Sequence, residues 1–271
     1  MSAFFRQFPK TQYDFGNTGL NRSITDLFRF VKVDPALIDD LSTYQYYQIK
    51  HGDRPDIVSL DLYDTPDYYW TFFIINDQLK DGLTGWPMNS DEFEKYLADH
   101  YSGTVITTAP QIVYGTYGTD IISEYRDSLA NRFIIGETVI GSHSSASGTV
   151  FSKDPQLGQL VIKNVSGVFQ TLESIVGQSS SDSVTSHQVF DYVDAPHHFE
   201  DVNGLLSYNG LFINEVKSTA GQAPGVAPGN LTVISNLDYE TAINELKADI
   251  RVVRPHLVAE FGKAFSQKLK Q

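Results

Sequence analysis

The segment that most constrains this chain runs from Thr65 to Asn76. Thr65-Pro66 reads as a helix cap followed by proline at the first helical position, where a missing N–H is no loss. The helix so opened carries Tyr68, Tyr69, Trp70, Phe72, Phe73, Ile74 and Ile75, which places apolar groups on nearly every side of it. A helix on the surface of a small domain needs one apolar stripe, whereas one that is apolar all round must be covered all round. A unit of about 45 residues is too small to do this alone. Neighbouring parts of the same chain supply the cover, or a partner subunit does, and the two readings are compatible.

The residues before this helix form a coherent lead-in. Tyr44, Tyr46 and 47–49 read as a strand, ended by the turn His51-Gly52-Asp53. Asp53 is placed to cap a helix with Pro55 in its first turn and Asp56 three residues after the cap. That helix carries Ile57, Val58, Leu60 and Leu62 and ends near Tyr63-Asp64. Further on, Asn89 or Ser90 caps a helix with Phe93, Tyr96, Leu97 and Tyr101 at helical spacing.

Upstream, residues 4–21 mix aromatics with Pro9, Gly16, Asn17 and Gly19 and show no period, which predicts an arm ordered only against something else. Thr25-Asp26 precedes a short helical turn with Leu27, Phe28, Phe30 and Val31, and a second short helix is expected over 35–41. Downstream, from 104 to about 190, valine, isoleucine and threonine runs punctuated by glycine predict short strands at 105–108, 112–117, 133–135, 138–140, 149–151, 160–162 and 175–176. Such spacing suits a small β-barrel or sandwich, with serine-rich tips at 142–147 and 179–183 as exposed loops.

Residues 217–230 hold little to bury and read as a linker or mobile loop. Beyond it, Tyr239, Ile243, Leu246, Ile250 and Val253 step by 4, 3, 4 and 3, which predicts one long helix opened by Asn236 or Asp238 with a narrow apolar seam. Pro255 must kink or end that helix, and Leu257, Val258, Phe261 and Phe265 continue as a second amphipathic one.

Composition narrows the function. With 20 basic and 33 acidic residues the formal charge is −13, and no stretch gathers the cations that phosphate neutralisation needs, so nucleic acid is not an expected partner. The absence of cysteine removes disulfides and thiolate chemistry. No leader is expected at the amino terminus, and no run of about 18 apolar residues suits a membrane span. No cofactor or metal is expected. His197, His198, Glu200 and Asp201 are the only histidine–acid cluster, but adjacent histidines diverge on a helix or a strand, and the segment reads as a polar loop. Asp61, Asp64 and Asp67 lack the glycine and closing glutamate of a calcium loop. The run 141–145 is not a Gly-x-Ser-x-Gly elbow, and no phosphate-cradling loop occurs. Acids are abundant, so a paired-carboxylate hydrolase stays open, but the expectation is a protein without enzymatic activity.

Three segments together resemble the baseplate wedge-subunit family of T-even-type contractile phages, that of the gene 53 product. They are Tyr13-Asp14-Phe15 with 24–29; Tyr46-Tyr47-Gln48-Ile49, Gly52-Asp53-Arg54-Pro55, Leu62-Tyr63, Tyr68-Tyr69-Trp70, Asn76-Asp77 and Gly85-Trp86; and Asn244-Glu245-Leu246-Lys247 with Ile250 and Pro255. The stretch from Tyr46 to Asn76 also looks like a LysM module, a class that generally binds N-acetylglucosamine polymers and in the wedge family serves as a protein–protein clamp. The β-rich stretch over 130–190 is not part of the family pattern.

The resemblance implies a structural protein of the virion tail, assembled in the host cytoplasm, that joins adjacent wedges of a six-fold baseplate and links them to the hub, with neither membrane nor nucleic acid as partner. A LysM-type peptidoglycan-binding module is the alternative. The expected class is α+β: an arm over 1–43, a LysM-like module and following helix over 44–102, a β-rich inserted domain over 103–216, the linker, and carboxy-terminal helices over 231–271. Interface candidates are Phe4, Phe5, Phe8, Tyr13, Phe15 and Phe28 of the arm, Tyr69, Trp70 and Phe73 of the apolar helix, and Ile243, Leu246, Ile250 and Phe261 of the terminal helices.

Overall fold

A computed structural model of the chain describes residues 4, 7–27, 29, 31, 42–108, 129, 131–155, 157–200 and 232–270. Helices and strands are mixed, in an α+β arrangement that includes a closed six-stranded barrel. The chain divides into two units, Met1–Phe93 with Ala242–Gln271, and Glu94–Thr241. The expected strand 112–117, helix 35–41 and linker 217–230 lie outside the described residues, as do Phe5 and Phe28.

In the first unit, β1 (Lys10–Asp14) and β2 (Asn21–Thr25) form an antiparallel hairpin where an arm without regular structure of its own, ordered only against something else, was expected. The turn formers that looked like disorder are its loop. The Asp14 carboxylate accepts hydrogen bonds from Thr18 N, Thr18 Oγ1 and Gly19 N at 3.0, 3.1 and 2.7 Å, while Gly16, Asn17 and Gly19 take positive φ. Thr25 therefore ends a strand and caps no helix, and Asp26 N bonds back to Pro9 O at 2.8 Å.

β3 (Tyr44–Gln48) leads through the turn at Gly52, whose φ is 80°, into α1 (Pro55–Tyr63). The cap is Arg54, one residue later than expected. Proline at the first helical position forces its predecessor into an extended conformation, here φ −89° and ψ 152°, so the cap position falls on Arg54 and the Asp53 side chain does not reach the helix. The helix ends at Asp64, left-handed at φ 58°. Thr65 then caps through its hydroxyl as expected, but the first turn, Pro66–Tyr68, is a 3-10 helix, and α2 (Trp70–Ile75) follows it. Tyr69 keeps helical dihedrals between them, so the direction persists while the hydrogen bonding tightens.

The same unit covers this helix. Trp70, Thr71, Phe72 and Ile75 are buried, and Phe73 and Ile74 are half-buried. One side packs with Val58, Tyr63, Leu79, Ile250, Val252 and Val253; the other meets Phe4, Phe8, Phe261 and Phe265.

Much of that cover comes from a corrected element. In place of one long helix, α3 (Ser90–His100) is followed much later by α4 (Asn236–Ala248), which stops, and β12 (Asp249–Val253) pairs antiparallel with β3, with Asp249 opposite Gln48 and Val253 opposite Tyr44. Ile250 and Val252 alternate inward at strand spacing, and β-branched residues fit a pleated surface. Asn76 supports the ladder from the far side: its Oδ1 accepts from Arg251 N at 2.8 Å and its Nδ2 donates to Arg251 O at 2.9 Å and Phe72 O at 2.8 Å. Pro255 thus follows a strand and kinks nothing. The amphipathic helix after it, α5 (Val258–Leu269), buries Val258 and Phe265 as its spacing predicted, and Leu269 as well.

In the second unit, β4 (Thr104–Thr108), β5 (Thr138–Gly141), β6 (Ser147–Asp154), β7 (Gln159–Ser166), β8 (Ser174–Gly177) and β9 (Ser183–Asp191) close in the order β4-β7-β6-β5-β8-β9. Ile106, Val139, Val150, Leu160, Ile162 and Ile175 fill its interior. The run 133–135 is no strand: Phe133 is left-handed at φ 57° and buried, while Ile134 and Ile135 are exposed. A further antiparallel pair joins β10 (Pro196–Glu200) to β11 (Thr232–Ser235), so the histidine segment is a strand and not a loop.

Candidate functional site

The first unit carries a cavity of about 720 Å³, bordered by the Gly52–Asp56 turn, Tyr69, Leu83, Thr84, Trp86, Pro87, Met88, Asn89 and Glu92. Its size lies within the roughly 300–1,000 Å³ of ligand pockets. Three local devices hold it open. Trp86 Nε1 donates to Asp53 O at 2.7 Å while its ring meets Phe73 edge-on at 5.8 Å, which fixes the aromatic wall. The Asn244 amide pairs with the Met88 backbone in both directions, at 2.8 and 3.0 Å. Asn89, the cap of α3, exchanges bonds with Glu92: Glu92 N to Asn89 Oδ1 at 2.9 Å and Asn89 N to Glu92 Oε2 at 3.2 Å, a reciprocal capping box.

The groove is acidic as well as apolar. Asp53, Asp56 and Glu92 line it against the single cation Arg54, whose Nη2 lies 3.1 Å from Asp56 Oδ2. Asp53 Oδ2 is buried and has no hydrogen-bond partner among the described residues. Close by, the Tyr47 hydroxyl is pushed up in pKa by burial and then by the charges of Asp53 and Asp61.

The interface candidates fall into three settings. Phe4 stacks on Trp70 at 5.2 Å, Phe8 meets Phe4 edge-on at 5.1 Å, and Phe261 stacks on Trp70 at 6.3 Å, so these residues bind the chain's beginning to its end. Gln7 and Ser266 share a hydrogen bond across the same seam. Trp70 is 3% exposed and Ile250 fully buried, which makes them interior residues. Tyr69 is half-buried at the groove, Phe73 is half-buried against the Tyr69 and Trp86 rings, and Ile243 is half-buried on α4. Tyr13, Phe15 and Leu246 are exposed, at 51%, 57% and 64%.

Among the described residues, the hairpin that holds Tyr13 and Phe15 has no covering layer. From Lys10 to Leu27 only Asp14, Ile24 and Asp26 are even half-buried, and its sheet has two strands. The register sorts its side chains: Thr11, Tyr13, Arg22 and Ile24 share one face, and Lys10, Gln12, Asp14, Asn21, Ser23 and Thr25 the other. Phe15 joins the first set through an edge contact with Tyr13 at 4.9 Å.

The barrel contains a feature that sequence reading missed. Residues 133–150 recur as 169–186, an offset of 169 − 133 = 36, with Phe133, Glu137, Gly141, Ser144 and Thr149 matched by Phe169, Glu173, Gly177, Ser180 and Thr185. Each glutamate serves the other copy's turn. Glu173 accepts from His143 N, Ser144 N and Ser144 Oγ at 3.1, 2.9 and 2.8 Å, and from Gln170 N at 2.6 Å. Glu137 accepts from Ser179 N, Ser180 N and Ser180 Oγ at 3.0, 2.9 and 2.9 Å, and from Ile134 N at 2.6 Å. Burial raises each pKa and is the largest single influence, yet these bonds together outweigh it and hold both carboxyls below the ordinary value of 4.5. The serine-rich tips are exposed at Ser142, Ser145 and Ser179, as expected, while Ser144 and Ser180 turn inward to the carboxylates. A self-comparison of the sequence at fixed offset would have found the repeat.

The two histidines do not diverge. A bulge in β10 between Pro196 and His198 sets their Nδ1 atoms 2.8 Å apart, with His198 Nε2 3.3 Å from Glu200 Oε1 and the His197 ring stacked on Tyr239 at 3.7 Å. Asp201 lies outside the described residues. Among the described residues no group of three histidines or acids could hold a metal ion. Ser142 Oγ lies 3.1 Å from His143 Nδ1, but it also accepts Ser174 N at 3.1 Å and sits in a turn, where no carboxylate among the described residues orients the ring. No helix among the described residues is long and apolar enough to cross a membrane.

Compared with known proteins, the chain matches no family model and no curated sequence.

Proposed function

We propose that this chain is a structural subunit of a contractile-tail baseplate, acting within the virion as a wedge component that joins neighbouring wedges and ties them to the hub through protein–protein contacts. The observation that carries this reading is the hairpin. A two-stranded hairpin is marginal alone in water, yet this one is registered, closed by Asp14, and presents Tyr13 and Phe15 exposed on one face beside a half-buried Ile24. Such an element suits a protein completed by its neighbours, and aromatic anchors dominate interface energetics. The order strand, Gly-Asp turn, helix, second helix and Asn76 in the first unit supports the LysM-like resemblance, and the interior role of Trp70 makes that module a rigid platform for contact. The test is reconstitution of wedges with the full chain and with Tyr13→Ser/Phe15→Ser. The variant should keep native tryptophan fluorescence and lose incorporation; equal incorporation of both proteins refutes the reading.

One observation favours a second reading, a LysM-type peptidoglycan-binding module. The groove combines the Trp86 and Tyr69 rings with polar groups at Asp53, Asn89 and Glu92, a lining that suits a sugar polymer. Retention on insoluble cell-wall polymer, displaced by free chitin oligomers and lost in Trp86→Ala, would replace the first reading with this one.

A further inference from the structure

The uncovered hairpin and the open groove are complementary. The hairpin offers two touching, exposed aromatic rings and the exposed cation Arg22 on one face, beside a half-buried Ile24. The groove offers about 720 Å³ walled by Trp86, Tyr69 and Leu83, with Asp53, Asp56 and Glu92 around it. Leu83 is 69% exposed, so its apolar side chain is also without cover. Glu92 is exposed and Asp56 half-exposed at the groove's rim, and a guanidinium is the side chain best shaped to bind a carboxylate. On the basis of the baseplate reading above, we infer that the hairpin of one copy of this chain docks in the Trp86 groove of the next copy.

The geometry of such a contact decides what it builds. Knob and hole are different surfaces, so the contact is head to tail, and repetition closes into a ring when the rotation permits. Two aromatic rings and one strand face cover less than the roughly 1,200 Å² of a stable interface. Two copies therefore associate weakly in isolation, and the contact strengthens when a scaffold holds the copies side by side. Arg22 fixes orientation and speeds encounter, while Tyr13 and Phe15 supply the buried area.

The experiment uses the full-length chain in sedimentation velocity from micromolar to about millimolar concentration, the range in which weak contacts of this size populate. The wild type should self-associate with rising concentration and weaken as salt is added. A knob variant, Tyr13→Ser/Phe15→Ser, and a hole variant, Leu83→Arg, both change exposed side chains and so leave the fold intact. Each alone should associate at least about tenfold more weakly, the loss of a single anchor. Their equimolar mixture should recover dimers and nothing larger, since each pair then has one intact knob facing one intact hole. A wild type that stays monomeric throughout, or a mixture that fails to recover dimers, overturns the proposal. If the monomeric chain is still incorporated into wedges in a hairpin-dependent way, the groove has another occupant and the baseplate reading stands without self-docking.

Discussion

Replacing Glu173 by Gln tests the carboxylate-centred turns with almost no change of shape. Glu173 is 1% exposed and takes four hydrogen bonds, from His143 N, Ser144 N, Ser144 Oγ and Gln170 N. The best amide orientation keeps oxygen against the His143 and Ser144 N–H groups and turns NH₂ toward the other side. There the Ser144 hydroxyl can rotate to accept, but Gln170 N loses its acceptor. One stranded donor costs about 1–3 kcal/mol, and the retained bonds fall from charge-assisted to neutral strength, so the total is about 2–4 kcal/mol. Glu137→Gln removes the matching set from the other turn and should cost the same within about 1 kcal/mol.

The sign with pH follows from linkage. Both folded pKa values are lowered, so the carboxylates contribute fully above glutamate's ordinary 4.5 and lose that contribution as pH falls through their lower folded values. The gap between wild type and either variant should therefore be constant at neutral pH and shrink in acid below 4.5. Amide hydrogen exchange across 133–190 reads the barrel, while fluorescence reports only the first unit, because Trp70 and Trp86 are the chain's two tryptophans. A cost below about 0.5 kcal/mol, or a gap unchanged well below pH 4.5, would refute the account of these turns.

Asn76→Ala removes the side chain that pairs with both backbone groups of Arg251, and should lower the urea stability of the first unit by about 2–4 kcal/mol as followed by tryptophan fluorescence. Gly177→Ala places a Cβ 2.5 Å from Ser180 Oγ and 2.8 Å from Glu137 Oε2; it should destabilise the barrel by at least about 2 kcal/mol in thermal unfolding, where an alanine at an open site would cost little. His197 has its pKa lowered by burial and by the charge of His198, so its neutral form is favoured in the fold and stability falls as pH drops below the ordinary 6.5. His197→Phe keeps a ring over Tyr239, and its thermal midpoint should change less between pH 7 and 5 than that of the wild type.

Much of the local structure was legible. Thr65-Pro66, Asn89 with Glu92, and the spacing of Val258, Phe261 and Phe265 act within a single turn, and each element appears where its residues indicated. The glycine-punctuated β-branched runs likewise became barrel strands at 138–141, 147–154, 159–166 and 174–177. β9 escaped because its serines, threonine and histidine dilute the alternation of a strand whose apolar partners are supplied by the rest of the barrel. Of the groove's lining, Tyr69 was the one interface candidate singled out, and the groove itself was not, since Asp53, Leu83 and Glu92 meet only in space.

Sequence by itself determined the mixed helix and strand content, the helix starts at Thr65 and Asn89, most of the barrel's strands and the need to cover Trp70 and its neighbours on every side. Tertiary structure alone decided that Ile250 and Val252 belong to a strand, that the chain's own ends cover Trp70, and that Glu137 and Glu173 each complete the other's turn. Caps and periodicity are set by residues within a few positions of one another, whereas a ladder partner or a hydrogen-bond acceptor is chosen among all segments that folding brings together. The steps of 4, 3, 4 and 3 from Tyr239 to Val253 fit a helix locally, and β3, from the other end of the chain, outweighed them by offering a full edge of unpaired N–H and C=O groups.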